Sequence, residues 1–263
     1  MAYSRATLGM EGYGRYSDVA VITLPLISCI MPTVNRPIFM AKSIELFHAQ
    51  DYVNKELVIV DESIEKTLLD VRREKDIRSI YLASDTCLSL GAKFNLGCSL
   101  AQGDIICHWD DDDYFAPHRL THQAQPILEG AADIVGLEMD IVFNIIDWTA
   151  WKCSAALHQE IFYGGVVTGA IMYKKSVWGM NAAHPNKTTG EDADFLRHLR
   201  LFGAKLASLP NTGSFIYIRH GDTWPLPPHY HPHMHEWQQV EVNSILPEKE
   251  LAFYSTLRNK EGV

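Results

Sequence analysis

Short apolar runs separated by polar turns dominate the first half of the chain. Leu26-Ile27-Ser28-Cys29-Ile30-Met31, stopped by Pro32, has the length and continuity of a buried strand. Leu57 to Val60, Ser79 to Ala83 and Ile105 to Trp109 repeat the pattern. Between these runs the period changes. After Pro37, which suits the first turn of a helix, Met40, Ile44 and Phe47 share one helical face. Residues 64–75 read as a charged surface helix and Gly91 to Ala101 as another helix. Strand and helix alternating through short turns predict an α/β fold, a mostly parallel central sheet with helices on both faces.

The second half is less regular. Ala132 to Asp147 is β-rich, and Trp148-Thr149-Ala150-Trp151 suits a hairpin or an aromatic wall. Val166 to Tyr173 reads as a strand, Glu191 to Phe202 as a helix and Ser214 to Arg219 as a last strand. Phe195, Leu199 and Phe202 mark the buried face of that helix. A Pro/His-rich stretch from Trp224 to His235 reads as a loop, followed by a closing helix over Pro247 to Leu257. The first 18 residues, rich in Gly, Tyr and Ser, suit an irregular arm, and 19–263 read as one domain.

Composition narrows the classes. The net charge of −9 is a poor match for a nucleic-acid phosphate backbone, so no nucleic-acid partner is expected. The apolar stretch Val19 to Met31 contains Pro25 and is too short to span a membrane, which takes roughly 20 residues. No transmembrane segment is therefore expected, and the N-terminus lacks the apolar core of a secretory signal. Cys29, Cys87, Cys98, Cys107 and Cys153 form no Cys-x-x-Cys pair, which suits a reducing, cytoplasmic setting. A peripheral place at the inner membrane face and an oligomeric state are both compatible with the sequence.

In a parallel sheet of this kind, ligands bind at the carboxyl ends of the strands. The polar clusters fall there: Thr33, Asn35 and Arg36 after strand one, Asp61 after strand two, Asp110 to Asp113 after strand four. Four adjacent carboxylates repel one another unless a cation neutralises them, and their oxygens suit magnesium or manganese. The plainer reading is a solvated turn capping the helix near Pro117; the strand-end position favours the cation. Gly190-Glu191-Asp192 opens a helix, and Asp192 is placed to act as a general base. The plainer reading there is a capping box, Thr188-x-x-Glu191, and Glu191 can cap while Asp192 catalyses. Asp61 suits a hydrogen bond to a base or ribose, or an ordinary N-cap. Lys93 suits a phosphate or base, or plain solvation. His220 suits a further metal ligand or a surface loop. Trp148, Trp151 and Trp224 suit stacking faces or core packing. His229, His231, His233 and His235 alternate without a nearby cysteine, which suggests adventitious metal affinity.

With these residues assembled, the chain resembles the family 2 glycosyltransferases of the A-type nucleotide-sugar fold. The resemblance rests on Pro32-Thr33-Val34-Asn35-Arg36-Pro37, Val58-Ile59-Val60-Asp61-Glu62-Ser63, Gly91-Ala92-Lys93-Phe94-Asn95-Leu96-Gly97 and Ala101-Gln102-Gly103-Asp104-Ile105-Ile106. It continues through Trp109-Asp110-Asp111-Asp112-Asp113 with Pro117-His118-Arg119-Leu120, and Gly190-Glu191-Asp192, spanning 26 to about 204. It implies a nucleotide-binding half over about 24–118, a β-rich acceptor half over about 119–222 and a C-terminal loop and helix over 223–263. Pro32, Thr33, Asn35, Arg36, Asp61, Lys93, Asp110 and Asp111 would bind the nucleotide. Asp110 and Asp112 match the ends of the Asp-x-Asp motif and would hold manganese or magnesium; His220 is added to the metal site from its position alone. Asp192, paired with Glu191, matches the catalytic base. The implied reaction transfers a sugar, with inversion, from a nucleoside-diphosphate sugar, most simply a UDP- or GDP-sugar, to an acceptor hydroxyl compound or glycan. Val34 stands where the family often has an aromatic residue. A sugar nucleotidyltransferase would normally show a glycine-rich loop after strand one, and none is present. A non-catalytic nucleotide-sugar-binding module is the remaining alternative, set apart by slow donor hydrolysis.

Overall fold

The computed structural model describes residues 23–64, 75–82, 86–154, 156, 158, 162–221 and 237–258. The N-terminal arm, nearly all of the expected 64–75 helix, Trp224 and the alternating histidines lie outside the described residues.

A seven-stranded sheet runs in the order β10-β6-β9-β4-β1-β2-β3. Its strands are β1 (Ile27–Thr33), β2 (Lys55–Asp61), β3 (Ile77–Tyr81), β4 (Ile105–His108), β6 (Ile134–Leu137), β9 (Met172–Lys174) and β10 (Leu206–Leu209). All pairings are parallel except those of β9, which runs antiparallel to both β4 and β6. Alternating side chains of the central strands enter two cores. Cys29, Met31, Leu57 and Ile59 pack with Met40, Ile44 and Phe47 of α1 (Pro37–His48) and with Leu120 and Ala124 of α3 (Arg119–Leu128). Ile30, Val58 and Ile106 pack on the opposite face with Phe94 and Cys98 of α2 (Leu90–Leu100) and Phe195, Leu196 and Leu199 of α5 (Glu191–Leu201). Burial on both faces is why these strands read as unbroken apolar runs rather than alternating ones. At Gly97, a Cβ would lie 2.3 Å from Ile30 Cγ2, so glycine lets α2 settle onto β1.

A second sheet has the order β12-β8-β7-β11-β5. It contains β5 (Tyr114–Phe115), β7 (Ile141–Asn144), β8 (Thr149–Cys153), β11 (Phe215–Arg219) and β12 (Trp237–Val240). β7 and β8 form the hairpin expected around Trp148 and Trp151. Trp148 adopts the left-handed conformation (φ 56°) and its ring meets Phe143, so it serves packing. Two further α-helices among the described residues are α4 (Lys175–Asn181) and α6 (Glu248–Ser255).

Four expectations about elements are corrected. β1 does not stop at Pro32 but continues through Thr33. Its pairing with β4 ends at Ile30↔His108, so the missing proline N–H faces no ladder partner there. Val166 to Tyr173 is not one strand. A 3-10 turn over Thr168–Ala170 breaks it and only Met172–Lys174 pairs. Phe202 is 66% exposed: the helix ends at Leu201 and Gly203, at φ 87°, turns the chain away. Leu196 takes the buried place instead. Thr188 does not cap α5. The N-cap is Gly190 in the left-handed region (φ 67°), with no side-chain capping bond. No described helix is long and apolar enough to cross a membrane.

Candidate active site

β1, β2 and β4 end at one edge, because register pairs Thr33 with Asp61 and sets His108 beside Ile30. The acid run follows β4 directly into the gap that opens between β1 and β4. Thr33 Oγ1 donates to Asp111 Oδ2 at 2.6 Å. The Arg36 guanidinium donates to Asp111 Oδ1 at 3.1 Å and Asp112 Oδ2 at 2.8 Å. His220, just past β11, brings Nε2 to 3.0 Å from Asp112 Oδ2. The backbone N–H of Ile218 donates to Asp113 Oδ1 at 2.9 Å. Four adjacent acids thus have four different surroundings.

Their protonation follows from those surroundings. Burial raises the Asp110 carboxyl well above the usual carboxylate range, helped by the charges of Asp113, Asp112 and Asp111. Burial and Asp112 lift Asp111 to about 6 against the opposing Arg36 and Thr33 contacts. Burial also acts upward on Asp112, but the His220 hydrogen bond and the Arg36 charge outweigh it and hold that carboxyl low. Burial and the neighbouring Asp112 charge push Asp113 well up. A buried cluster that resists ionising for want of positive charge is the environment a hard cation relieves. Among the described residues the Asp110 carboxylate accepts no hydrogen bond, and Asp112 meets His220; this donor set fits magnesium or manganese. No group of three His, Cys, Asp or Glu side chains is already drawn together as a metal cage among the described residues.

Across the cleft, Asp192 sits in the first turn of α5, where acids are favoured by the helix dipole. Thr168 Oγ1 donates to its Oδ2 at 2.5 Å, and the N–H of Ala193 to its Oδ1 at 2.7 Å. Gly169 lies between the two acidic elements. A Cβ there would be 3.4 Å from Asp110 Oδ2 and 3.9 Å from Asp192 Oδ2, so the glycine keeps the space between them open. Buried Arg119 fixes this turn against β4, its Nη2 donating to the carbonyls of His108 (2.8 Å) and Ala170 (3.3 Å). Gln123 adds a second bond to Ala170 O at 2.8 Å. Glu191 is buried beside Asp192, and burial with the Asp192 charge raises it to about 7.

Other expected site residues are differently engaged. Asp61 is buried and its Oδ1 accepts from Ser63 N and Oγ at 2.9 and 2.5 Å. Asn35, at φ 54°, spends its side-chain oxygen on Ile64 N, while its own N–H donates to Ser63 Oγ; it ties the loop after β1 to the loop after β2. Lys93 is not a solvated cation: it is buried and paired with Glu62 at 2.7 Å, and Glu62 also accepts from Thr86 and Leu88. Pro32 is buried in β1. Thr168 and Gly169 were not signalled by motif; a Thr-Gly pair inside an apparent strand was the one cue, while Glu62 lay within the Val58–Ser63 stretch without a role of its own.

Fold and site together define a class. The chain superposes on the UDP-GlcNAc complex of Staphylococcus aureus TarS 1–349 with a TM-score of 0.62, at 20% identity over 75% of this chain and 59% of that one. The mannosyltransferase PcManGT of Pyrobaculum calidifontis, in complex with GDP-Man and Mn2+, gives 0.58 at 15% identity, over 75% and 57%. The fold is that of the A-type glycosyltransferases. The glycosyl transferase family 2 model matches residues 28–171, and the chain belongs to that family. Relatives include the protein named colanic acid biosynthesis glycosyl transferase WcaA of Escherichia coli K12, 39% identical over 37% of this chain and 36% of that one. The GalNAc(5)-diNAcBac-PP-undecaprenol beta-1,3-glucosyltransferase of Campylobacter jejuni is 25% identical over 43% and 38%. WfaP of Escherichia coli, a UDP-Glc:alpha-D-GlcNAc-diphosphoundecaprenol beta-1,3-glucosyltransferase, is 27% identical over 38% and 40%. The matches span well under half the length of these relatives.

Proposed function

We propose that the protein transfers a sugar, with inversion, from a nucleoside-diphosphate sugar to an acceptor hydroxyl. The observation that carries this reading is the space held open by Gly169 between Asp110 Oδ2 and Asp192 Oδ2. It sets a candidate base on α5 facing the acid run at the strand ends. Asp192 takes the proton of the acceptor hydroxyl, whose oxygen attacks the anomeric carbon opposite the leaving diphosphate. Among the described residues each of its carboxylate oxygens accepts one hydrogen bond, from Thr168 or Ala193, which leaves capacity for a substrate proton. Residues 24–118 would hold the donor and 119–222 the acceptor. Asp61 would meet the base, and Thr33, Asn35, Arg36, Asp110 and Asp111 would line the nucleotide pocket; Lys93 would contribute through its pairing with Glu62. Asp110, Asp112 and His220 would hold manganese or magnesium, which when bound neutralises charge on the leaving diphosphate. Two relatives are named for sugars on diphosphoundecaprenol, which supports a lipid-linked glycan as acceptor.

Replacing Asp192 by Asn keeps the shape and removes the base. Transfer should fall by about 10²- to 10⁴-fold while nucleoside-diphosphate binding stays intact, since a general base contributes that much. The assay is sugar transfer alongside calorimetric donor binding. An Asp192→Asn variant that retains more than about a tenth of the wild-type rate would sink the assignment.

A further inference from the structure

α5 ends in two large apolar residues that the core does not take up. Leu201 is 81% exposed and Phe202 66% exposed, while Leu196 and Leu199 of the same helix are buried. Gly203, at φ 87°, turns the chain directly after them, and a Cβ placed there would meet no atom within 4 Å among the described residues. The pair therefore stands at the tip of a projecting turn. Tyr163 is exposed as well, and it belongs to the same end of the helix. The guanidiniums of Arg197 and Arg200 sit over its ring, 5.0 and 5.6 Å from the centroid. A Cβ on Gly164 would be 3.5 Å from Arg200 Nη1 and 2.7 Å from Leu206 Cδ2, so the turn carrying Tyr163 packs against the close of α5 and the start of β10. Arg197, Arg200 and Lys205 are all exposed around this tip.

The charge around the tip opposes that of the whole. From Phe195 to Leu209 the sequence has three cations, Arg197, Arg200 and Lys205, and no acid, in a chain whose net charge is −9. Arg197 pairs with Asp194, whereas Arg200 meets no carboxylate among the described residues. A single exposed leucine is ordinary. Leucine and phenylalanine in succession at a tip, with an exposed tyrosine and a fringe of arginine and lysine, have the composition of an element that lies in a membrane surface. A protein partner fits less well: a stable interface takes about 800 Å² from each side, and three apolar side chains on a projecting turn supply only a part of that. We infer that this turn, Leu201-Phe202 with Tyr163, inserts into the surface of a bilayer with negatively charged headgroups, which Arg197, Arg200 and Lys205 meet. Asp192 opens the helix that Leu201 ends, about 14 Å away along the axis at 1.5 Å per residue. The seat holds the cleft off the headgroups, which suits an acceptor whose growing end stands clear of its lipid; the inference itself does not depend on the proposed reaction.

The test is flotation with vesicles, of phosphatidylcholine mixed with phosphatidylglycerol in one arm and of phosphatidylcholine alone in the other. Wild type should float with the mixed vesicles, bind the neutral ones far more weakly, and release from the mixed ones at high salt. Arg200→Gln should weaken binding about fivefold, the share of one cation near an anionic surface. The double variant Leu201→Ser, Phe202→Ser should weaken it about tenfold or more, since it removes the inserted apolar surface. Both changes are on exposed side chains, so the variants should melt within about 2 °C of wild type and report on binding rather than folding. The inference is overturned if wild type does not float with the mixed vesicles, if it binds the neutral ones equally well, or if the double variant floats as wild type does. A concentration-dependent dimer that the double variant abolishes, without vesicle binding by wild type, overturns it in favour of a second copy of this chain. Flotation needs no donor and no transfer, so a failed transfer assay leaves this inference standing and a failed flotation leaves the proposed reaction standing.

Discussion

Asp192 and Glu191 are neighbours in the chain with opposite surroundings. Asp192 is half-buried and bonded through Thr168 and Ala193, whereas Glu191 is 4% exposed and raised to about 7 by burial and by Asp192. The sign of the linkage follows. The folded state binds a proton that the unfolded state, near the ordinary value of 4.5, releases, so the folded state is penalised as pH climbs from 4.5 to 7 and fully so above. Glu191→Gln removes the penalty and should melt higher than wild type at pH 8, by about 1–3 kcal/mol of added stability. The gain should disappear near pH 4.5; a gain that is the same at both pH values refutes the burial argument. At this scale the sequence was most readable for acids, whose spacing after a strand or before a helix is a local signal. It was least readable for Lys93 and Asn35. Their roles are set by Glu62 and by Ser63 and Ile64, which register brings close from another strand end.

Elements follow from period and length where a segment is buried on both faces, as β1, β2 and β4 are. The failures share a cause: a tertiary neighbour overrides local pattern. Pro32 stays in β1 because β4 has already ended, and Thr168 and Gly169 leave the strand because Arg119 and Gln123 hold Ala170 from below. A third case concerns how α5 is aimed. A Cβ on Gly91 would lie 2.0 Å from the carbonyl oxygen of Pro185, and Gly91 N donates to Lys187 O. The N-terminus of α2 thereby seats the segment that leads into Gly190 and Asp192. Gly91→Ala forces that backbone to move, so stability should fall by about 1–3 kcal/mol. The rate of transfer should fall as well, with donor affinity nearly unchanged. Differential scanning calorimetry and steady-state kinetics check both; a variant as stable and as fast as wild type would mean α2 does not position the base.

At the scale of the molecule, the charge of −9 sets a condition on the proposed reaction: an anionic donor would have to enter an acidic cleft. Manganese should therefore strengthen nucleoside-diphosphate binding. UDP or GDP at about a hundred times its dissociation constant adds about 2.7 kcal/mol, a rise in melting temperature of about 5–10 °C for a chain of this size. The rise should be smaller in EDTA, and only one base should give it in full. The absence of any rise with UDP, GDP, dTDP or CMP would mark the acid run as a solvated turn.

Asp113 carries a consequence of a different kind. By accepting from Ile218 N it fastens the seven-stranded sheet, through the turn after β4, to β11 of the five-stranded one. On the proposed reaction, the run mixes acids answerable to substrate with one answerable to architecture. In a descendant relieved of the proposed catalysis, drift would erase Asp192 freely, while an acid at 113 would still be retained to join the two sheets. A surviving remnant of the run is then a fossil of the scaffold, and the state of the α5 carboxylate is the better witness to whether the enzyme is alive.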